Sequence, residues 1–529
     1  MTHRERMLLA LKGEWADRLP FAPRLDLWYS ANARAGTLPD RYRETSADQI
    51  ARSQGWTLFK VNPEYQNVRT PEDNIHWALG ILSLRETVFR HQFPPEIDIN
   101  VEHSGENIRI AYHTPKGSVT TGIVMTEEMK KSGVSNYWIT EHALKGPKDY
   151  AAVAYIFENL KLVPDAGDFV KWQSEIGDDG LGFTYAGRAS SPMHHIQKLL
   201  VESTEFYYHY HDYAKEMQAL ARSMENFFDQ TLKILAESPA EVVFWGGNFD
   251  EMITYPPFFK KEIQPWIRRA AEILGPKGKL VSCHCDGENE GLMDLIRDSG
   301  MHIAESICPA PMTKVPIEEY YRQWSDKLTI FGGVPSTLLL RESTTDEEFE
   351  AYLAHLFNAI APGKRMILGI ADSTPPKAVF ERLVRIGEKV QEHGRLPLEA
   401  GAFRPVEAAA VAKKASPEIV WDKELRQVQE DVLNGEQEAV REHVRNLLGK
   451  GVDAKEILER GMISAMEVIS GRFKAGEVFI PEVLLSARVM NEAVQVLGPH
   501  LADSQTGGKG KVLIGTVKGD LHDIGKNLV

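Results

Sequence analysis

Cysteine is scarce in this chain of 529 residues, which holds only three, and two of them, Cys283 and Cys285, lie two positions apart. So few thiols at that spacing exclude a disulfide framework and predict a reduced, cytoplasmic protein. Long apolar runs are also absent, since none reaches the ~20 residues that a membrane-spanning helix needs. The start, MTHRERMLLALKGEW, is charged and amphipathic and lacks the apolar core of a signal peptide.

Positive charge is in deficit as well. The 61 Lys and Arg residues are outnumbered by 75 Asp and Glu residues, which gives a net charge of −14. That balance argues against a nucleic acid or an anionic membrane as a partner. The apolar content of 43% and the charged content of 26% are ordinary for a globular protein. The length allows two or three domains.

From residue 1 to 398, short apolar segments alternate with longer amphipathic ones. Several of the short segments are rich in Val, Ile and Phe, as buried parallel strands are. Eight such strands with helices between them predict an α/β fold, a (β/α)8 TIM barrel. The stretch Ile108–Met125, with turn residues at Thr114–Gly117, predicts an inserted hairpin. The eight predicted strands are Leu19–Leu25, Trp56–Asn62, Leu181–Gly187, Val242–Gly247, Leu280–Cys285, Met301–Ile307, Leu328–Gly333 and Met366–Ala371.

The composition changes after the predicted barrel. Residues 399–420 hold Gly-Ala, Arg-Pro and a run of small residues, which predicts an exposed linker. Residues 421–505 show no strand pattern but four helical segments, punctuated by Gly435, Gly449 and Gly451. These segments predict a compact four-helix bundle.

The chain ends in GTVKGDLHDIGKNLV, where a short apolar strand runs into a polar, Gly-rich loop. This string resembles the cobalamin-binding Asp-x-His-x-x-Gly signature of methionine synthase and of corrinoid proteins. The resemblance implies that His522 is a cobalt ligand, that Asp520 is its partner and that Gly525 allows close approach of the corrin. The plain alternative is a surface histidine in a strand-to-helix loop.

The helical segment before that motif carries a related resemblance. FKAGEVFIP and SARVM are similar to the helical cap that precedes the cobalamin domain in corrinoid proteins. The resemblance places Phe479 and Leu484 over the upper face of the corrin, whereas the alternative is ordinary bundle core. Residues 510–529 hold only one strand and the start of a helix, although a doubly wound cobalamin domain needs about 100 residues. We therefore expect a truncated domain, in a fragment of a longer chain.

In a TIM barrel, active sites collect where the strands end. The richest predicted strand end holds His284, Cys285 and Asp286, which together suit a metal or acid site. Asn248 follows the predicted strand Val242–Gly247, and Glu305 lies near the end of the predicted strand Met301–Ile307. Further polar or small residues at strand ends are Arg24, Asp26, Lys60, Asn62, Arg188, Asp250, Cys308, Gly332, Gly333 and Asp372.

Residues 1 to about 395 resemble the uroporphyrinogen decarboxylase superfamily at RERMLLALKGEWADRLPF, Asn248–Trp266, HCDG and FGGVPS. That superfamily includes barrel methyltransferases that load corrinoid proteins. Its decarboxylases carry Arg-Gln-x-Gly-Arg-Tyr after the first strand, where this chain reads PRLDLWYSAN, so decarboxylation is the disfavoured alternative. The thiol-directed methyltransferases bind zinc through His-x-Cys and a distant Cys. Here His284 is kept, but Asp286 replaces the first Cys and LGIADS lacks the second. Two interpretations of His284 therefore stay open, a zinc ligand and an acid that works without a metal.

Together the two resemblances imply a corrinoid-dependent methyltransferase. The expected reaction moves a methyl group from a small methylated donor to cob(I)alamin held by the same chain, with His284, Asp286, Asn248 and Glu305 as catalytic residues. Aromatic residues near the first two strands suit an aromatic methyl ether as donor, although such residues are more often plain core. These residues are Trp28, Tyr29, Trp56 and Phe59.

The alternatives are a methylcobalamin-to-thiol methyltransferase running in the other direction and a corrinoid-binding protein without activity. The partners implied by the resemblance are a corrinoid-to-folate methyltransferase and a corrinoid-reactivating protein, and a homodimer is a candidate assembly.

Overall fold

The computed structural model describes residues 1–60, 75–82, 84, 87–134, 136–399, 401, 425–474 and 476–502. The chain divides into two compact units. The first is Met1–Glu202 with Ala214–Ala408, and the second is Ser203–Tyr213 with Ala409–Val529. Among the helices within the described ranges, none is long and apolar enough to cross a membrane.

Strands and helices alternate through much of the first unit, and the described residues of the second unit are mainly helical. The strands are β1 Leu58–Lys60, β2 Phe89–Gln92, β3 Asp98–Ser104, β4 Asn107–Thr114, β5 Gly117–Val124, β6 Trp138–Glu141, β7 Lys161–Pro164, β8 Gly180–Gly182, β9 Thr184–Gly187, β10 Val242–Gly247, β11 Leu280–His284, β12 Ile303–Ile307, β13 Thr329–Pro335 and β14 Met366–Ala371. The helices are α1 His3–Lys12, α2 Asp26–Ala35, α3 Ala47–Ser53, α4 Glu127–Lys131, α5 Tyr150–Asn159, α6 Gly167–Ile176, α7 Pro192–His195, α8 Ser203–Asp212, α9 Ala214–Ser223, α10 Glu225–Glu237, α11 Pro256–Phe258, α12 Gln264–Leu274, α13 Met293–Arg297, α14 Ile317–Trp324, α15 Asp346–Ala359, α16 Phe380–His393, α17 Arg426–Asn434, α18 Gln437–Gly449, α19 Ala454–Glu456, α20 Ser464–Lys474 and α21 Ile480–Ala502.

A parallel sheet forms the centre of the first unit, in the order β9-β10-β11-β12-β13-β14. Strands β10, β12, β13 and β14 are buried along their whole length, as parallel strands covered on both faces are. A second parallel pair joins β1 to β8. Phe21 forms a parallel bridge to Leu368 of β14, and the Thr57 amide donates to the Phe21 carbonyl at 2.9 Å. The unit is therefore mixed α/β, as the sequence predicts.

The five predicted strands from Val242 onward are confirmed, with bounds that shift by at most two residues. The predicted strand Leu19–Leu25 is reduced to the bridge at Phe21, because Pro20 and Pro23 have no amide to donate to a ladder. The predicted strand Leu181–Gly187 is interrupted at Phe183, and Asn62 lies outside the described residues.

The predicted hairpin is also present. Strands β4 and β5 pair antiparallel from Asn107↔Val124 to Thr114↔Gly117, so the turn falls where the sequence places it. Strands β3 and β6 flank them and complete a four-stranded antiparallel sheet that the sequence does not predict. Strands β2 and β7 form a separate antiparallel pair.

Helices α17 to α21 of the second unit occupy the segments where the sequence predicts helices. The first ends at Gly435 in the left-handed conformation, with a φ of 79°, as helix ends commonly do. Apolar side chains from these helices and from the π-helical segment Ile457–Ile463 form one buried cluster, which includes Val428, Val432, Val440, Val444, Ile457, Met462, Val489, Ala493 and Leu497.

One buried histidine of the first unit makes its stability depend on pH. His195 is 3% exposed, packs edge-on against Phe157 at 5.4 Å between ring centroids, and donates from Nε2 to the Leu79 carbonyl at 2.8 Å. Burial lowers the pKa of His195 to about 4, and the nearby Arg188 and Lys198 charges add to this effect against the Leu79 hydrogen bond.

We expect His195→Gln to flatten the acid dependence of unfolding. The folded imidazole stays neutral down to about pH 4, while the unfolded one takes up a proton near pH 6.5, so stability falls as pH drops through this window. Between pH 7 and pH 5 this group alone costs about 2 kcal/mol. Urea titrations read by tryptophan fluorescence would test this. The signal reports mainly on the first unit, because Trp421 is the only tryptophan in the sequence of the second unit.

The matched control is His355→Gln, because His355 is exposed on α15. It should keep the pH dependence of the wild-type protein. Equal flattening in both variants would show that the burial of His195 is not the source of the effect.

Candidate functional site

Polar side chains from four parallel strands meet at the carboxyl ends of the central sheet of the first unit. His284 closes β11, and its register partner on β12 is Glu305. Asn248 follows β10 directly, and Asp372 follows β14. A Cβ at Gly247 would lie 2.3 Å from the His284 Cβ, so only glycine lets β10 approach β11 this closely.

The His284 imidazole is surrounded by carboxylates. Its Nδ1 contacts Oε2 of Glu305, which is 2% exposed. On the other side of the ring, Nε2 lies 3.2 Å from Asp372 Oδ1 and 3.5 Å from Asp286 Oδ2. Both ring nitrogens therefore face oxygens that can only accept a proton unless they are themselves protonated.

This arrangement changes the protonation of each group. Burial alone would lower the pKa of His284, but the charges of Asp286, Glu305 and Asp372 outweigh burial and hold it well above its ordinary value. Burial opposes the ionisation of Asp286 and Asp372, yet the His284 charge lowers the pKa of both carboxyls. At neutral pH the site without a metal therefore holds an imidazolium among carboxylates.

Two further residues hold the carboxylates in place. Asn248 Nδ2 donates to Asp286 Oδ2 at 2.8 Å, from a left-handed backbone with a φ of 65°. Arg24 Nη1 donates to Asp372 Oδ1 at 3.0 Å, and Nη2 also reaches Asp26 at 3.3 Å. The predicted residues His284, Asp286, Asn248 and Glu305 thus lie together. Asp372 belongs to the same cluster, although the sequence shows it only as one polar strand end among many.

The cluster has the donor set of a metal site. One atom each of His284, Asp286 and Asp372 lie within 4.8 Å of one another. Asp286 Oδ1 is buried and has no hydrogen-bond partner in the described part of the chain, so it is free to coordinate. Glu305 on the second ring nitrogen would orient the imidazole, as carboxylates behind metal-bound histidines do. One imidazole and two carboxylates suit a divalent ion such as zinc.

Cys285 does not belong to this cluster. Cys285 is fully buried and its Sγ lies 3.5 Å from the Cys283 carbonyl, away from the three-residue cluster. Burial raises the pKa of the Cys285 thiol well above its ordinary value, so it stays protonated. The sequence predicts a site made of His284, Cys285 and Asp286, whereas the structure groups His284 with Asp286 and Asp372, which offer nitrogen and oxygen atoms only.

We expect the protein to bind one Zn²⁺ or Co²⁺ at this cluster and Asp372→Asn to weaken binding by more than about 100-fold, since outer-shell partners alone contribute about 10- to 100-fold. The ion must displace the proton that the carboxylates hold on His284, so affinity should rise about tenfold per pH unit until that proton is lost. Calorimetry in buffers of different ionisation enthalpy would measure both effects.

Asp298→Asn serves as the control, because Asp298 is a half-exposed carboxylate paired with Lys327 outside the cluster. Unchanged affinity in Asp372→Asn, or binding without proton release, would contradict the assignment.

Three of the four aromatic residues near the first two strands are core, and the fourth, Tyr29, is half-buried and donates from its hydroxyl to the Thr45 carbonyl at 2.7 Å. Trp28 and Trp56 are buried and pack on Phe380 at 4.9 and 5.8 Å between ring centroids. Phe59 packs on Phe331 at 4.3 Å. The packing favours the plain core interpretation over an aromatic donor pocket.

The residues implied in corrin binding are only partly described. His522, Asp520 and Gly525 lie outside the described residues. Phe479 is half-buried, and its amide donates to Glu482 Oε2 at 3.0 Å. Leu484 is 1% exposed, so its side chain does not offer the open apolar surface that a shield over a corrin needs.

Helix α8 accounts for part of the environment of Leu484 within the second unit. Tyr208 donates from its hydroxyl to the Leu484 carbonyl at 3.4 Å. Arg488 forms two hydrogen bonds to Asp212, of 2.6 and 2.9 Å, and lies over the Tyr208 ring at 4.3 Å. The start of α21 is therefore tied to α8.

The helical part of the second unit is similar to known proteins. Residues 424–497 match the B12 binding domain family. A corrinoid protein of Desulfitobacterium hafniense is 33% identical over 107 residues, which is 20% of this chain and 50% of that protein. A trimethylamine corrinoid protein of Methanosarcina barkeri is 36% identical over 107 residues, 20% of this chain and 49% of that protein.

The chain thus spans about half the length of the curated relatives it matches. Among solved structures, a methyltransferase from Methanosarcina mazei is similar with a TM-score of 0.40 and 13% identity, covering 74% of this chain and 99% of that chain. The sequence matches support a B12 binding domain in the C-terminal part of the chain, and corrinoid as its ligand.

Proposed function

We propose that this chain is a corrinoid-dependent methyltransferase that moves a methyl group from a small methylated donor, in which the methyl group is carried on oxygen, to cob(I)alamin. The observation that carries the proposal is the cluster of His284, Asp286 and Asp372, which offers only nitrogen and oxygen ligands. It lies in the same chain as a match to the B12 binding domain.

The first unit supplies the donor site in this proposal, as a (β/α)8 barrel. The support is the run of parallel pairings from β9 to β14, with the bridge from β14 to Phe21 and the pair of β1 with β8. The site residues leave the carboxyl ends of these strands, where barrel enzymes place their chemistry.

The chemistry that the site must perform is cleavage of a methyl–oxygen bond. The oxygen leaves with the bonding electron pair, so it needs a proton or a Lewis acid to become a good leaving group. In the site without a metal, His284 donates the Nε2 proton to that oxygen, and Glu305 stabilises the imidazolium beforehand through Nδ1. Asp286 and Asp372 set the position of Nε2.

A divalent ion held by His284, Asp286 and Asp372 would supply the Lewis acid in place of the proton. The donor set bears on the direction of transfer. Thiolate ligands suit a site that activates a soft thiol acceptor, while carboxylates favour hard oxygen ligands. This chain has oxygen ligands where the thiol-directed enzymes have Cys, which supports a donor with a reacting oxygen and disfavours a thiol acceptor.

The C-terminal region is proposed to hold the corrinoid. His522 would bind cobalt with Asp520 as its partner and Gly525 at the close approach, and Phe479 would lie on the cap side. A corrinoid-to-folate methyltransferase and a corrinoid-reactivating protein would follow in the reaction sequence. Carrying donor site and corrinoid on one chain raises the effective concentration of each for the other.

The test is a donor screen against cob(I)alamin, read by the absorbance change on methylation, with His284→Gln beside the wild-type protein. Because His284 supplies the imidazole that gives the leaving oxygen a proton or holds the ion, we expect the rate to fall by at least about 100-fold. Demetallated and Zn²⁺-loaded protein should be compared to separate the two routes.

His302→Gln is the matched control, since His302 lies just before β12, at the opposite end of the sheet, and accepts from the Val281 amide at 3.1 Å. If no oxygen-linked donor methylates cob(I)alamin and the protein instead methylates a thiol from methylcobalamin, the proposed direction of methyl transfer is wrong. An absence of both reactions would leave only corrinoid binding.

A further inference from the structure

Lys198 is a lysine of the first unit that lies beside the site and reaches its carboxylates through Asn248. It sits in the π-helical segment Ile196–Leu200, a type of distortion that is frequent at functional sites. Its ammonium donates to the Gly247 carbonyl at 3.0 Å, to the Arg188 carbonyl at 3.1 Å and to Asn248 Oδ1. All three donors of the ammonium are thus used.

The contact with Asn248 decides how that amide points. An ammonium can only donate, so it must face the oxygen of the amide and not its nitrogen. The amide nitrogen is thereby turned away from Lys198 and donates to Asp286 Oδ2 at 2.8 Å. The chain of contacts runs in one direction, from the ammonium through the amide to the carboxylate.

The backbone makes Asn248 suited to this relay. Its main-chain nitrogen donates to the His284 carbonyl at 2.7 Å, which fixes the main chain beside β11. The amide could present either its oxygen or its nitrogen to Asp286, and the contact of Lys198 with Oδ1 selects the nitrogen. Oδ2 of Asp286, which accepts from Asn248, is also the oxygen 3.5 Å from His284 Nε2, and the buried Oδ1 has no hydrogen-bond partner in the described part of the chain.

We infer that Lys198 is a positioning residue that acts through Asn248 to orient Asp286 for ion binding and catalysis. This inference rests on the proposed function, in which Asp286 serves the reacting centre. It extends that function to a residue on a helix, outside the set of strand ends. Burial lowers the pKa of Lys198 to about 7, the Arg188 charge adds to this effect and the Asp286 charge opposes it.

A second lysine provides a matched control. Lys279 donates from its ammonium to the Ser238 and Ala240 carbonyls, at 2.6 and 2.8 Å, just before β10 and β11 begin. It therefore binds carbonyls of the same strand region but at the opposite end, away from the site. A merely structural role for buried lysines predicts similar effects of Lys198→Met and Lys279→Met on everything that is measured.

The experiment compares Co²⁺ binding by the full chain, by calorimetry and visible ligand-field absorption, in Lys198→Met, Asn248→Ala, the double variant and Lys279→Met. We expect Lys198→Met and Asn248→Ala each to weaken Co²⁺ by about tenfold or more, the range of outer-shell residues. Since the lysine acts through the amide, the double variant should be no weaker than Asn248→Ala alone. Lys279→Met should keep the affinity and the spectrum of the wild-type protein.

Kinetics and a crystal structure complete the test. With a donor found in the screen, Lys198→Met should lower kcat more than it raises KM, because Asp286 serves the reacting centre. The crystal structure of Lys198→Met should show the Asn248 to Asp286 hydrogen bond lost or the amide flipped.

Additive effects in the double variant, equal weakening in Lys279→Met, or an unchanged bond in that crystal structure would overturn the inference. If the wild-type protein binds no ion, the proposed metal route is wrong, and the crystal structure of Lys198→Met alone decides the role of the lysine.

Discussion

The charge on His284 is the interaction on which the site depends. A buried imidazole would ordinarily be neutral, but three carboxylates around one ring make the protonated or metal-bound form the stable one. Removing the positive charge would leave Asp286 and Asp372 repelling each other at the end of the sheet. The site therefore favours a cation at Nε2, and in the proposed metal route a divalent ion would compete with the proton for this position.

The sheet supplies the precision that this charge balance needs. His284 and Glu305 are register partners on adjacent parallel strands, so their side chains leave the sheet on the same side. Gly247 lets β10 approach closely enough for Asn248 to bond the main chain of β11. A shift of register by one residue would turn His284 to the other face and dissolve the cluster.

Sequence reasoning reaches part of this arrangement. The buried strands from β10 to β14 were predictable, because their runs of Val, Ile and Phe are long enough to recognise. The first predicted strand was wrong in extent, because an apolar pattern does not take into account that Pro20 and Pro23 lack the amides a strand needs. Asp286 and Glu305 follow from the strand-end rule. Asp372 is 86 residues from Asp286 in the numbering, so its approach depends on strand order. Lys198 has no signal at all, since its proposed role arises from helix packing. The hydrogen bond from Tyr208 to the Leu484 carbonyl joins residues that lie far apart in the sequence.

The grouping of α8 with the C-terminal helices has a consequence for biosynthesis. Asp212 and its partner Arg488 are separated by 276 positions, so on a ribosome adding about 5–20 residues per second α8 waits roughly 15–55 s for the helix that pairs with it. During that interval its tyrosines and Phe206 must stay soluble without α21. Nascent chains thus pass through a period in which an aromatic helix is complete before the helix it packs on has been made, and slower translation lengthens it.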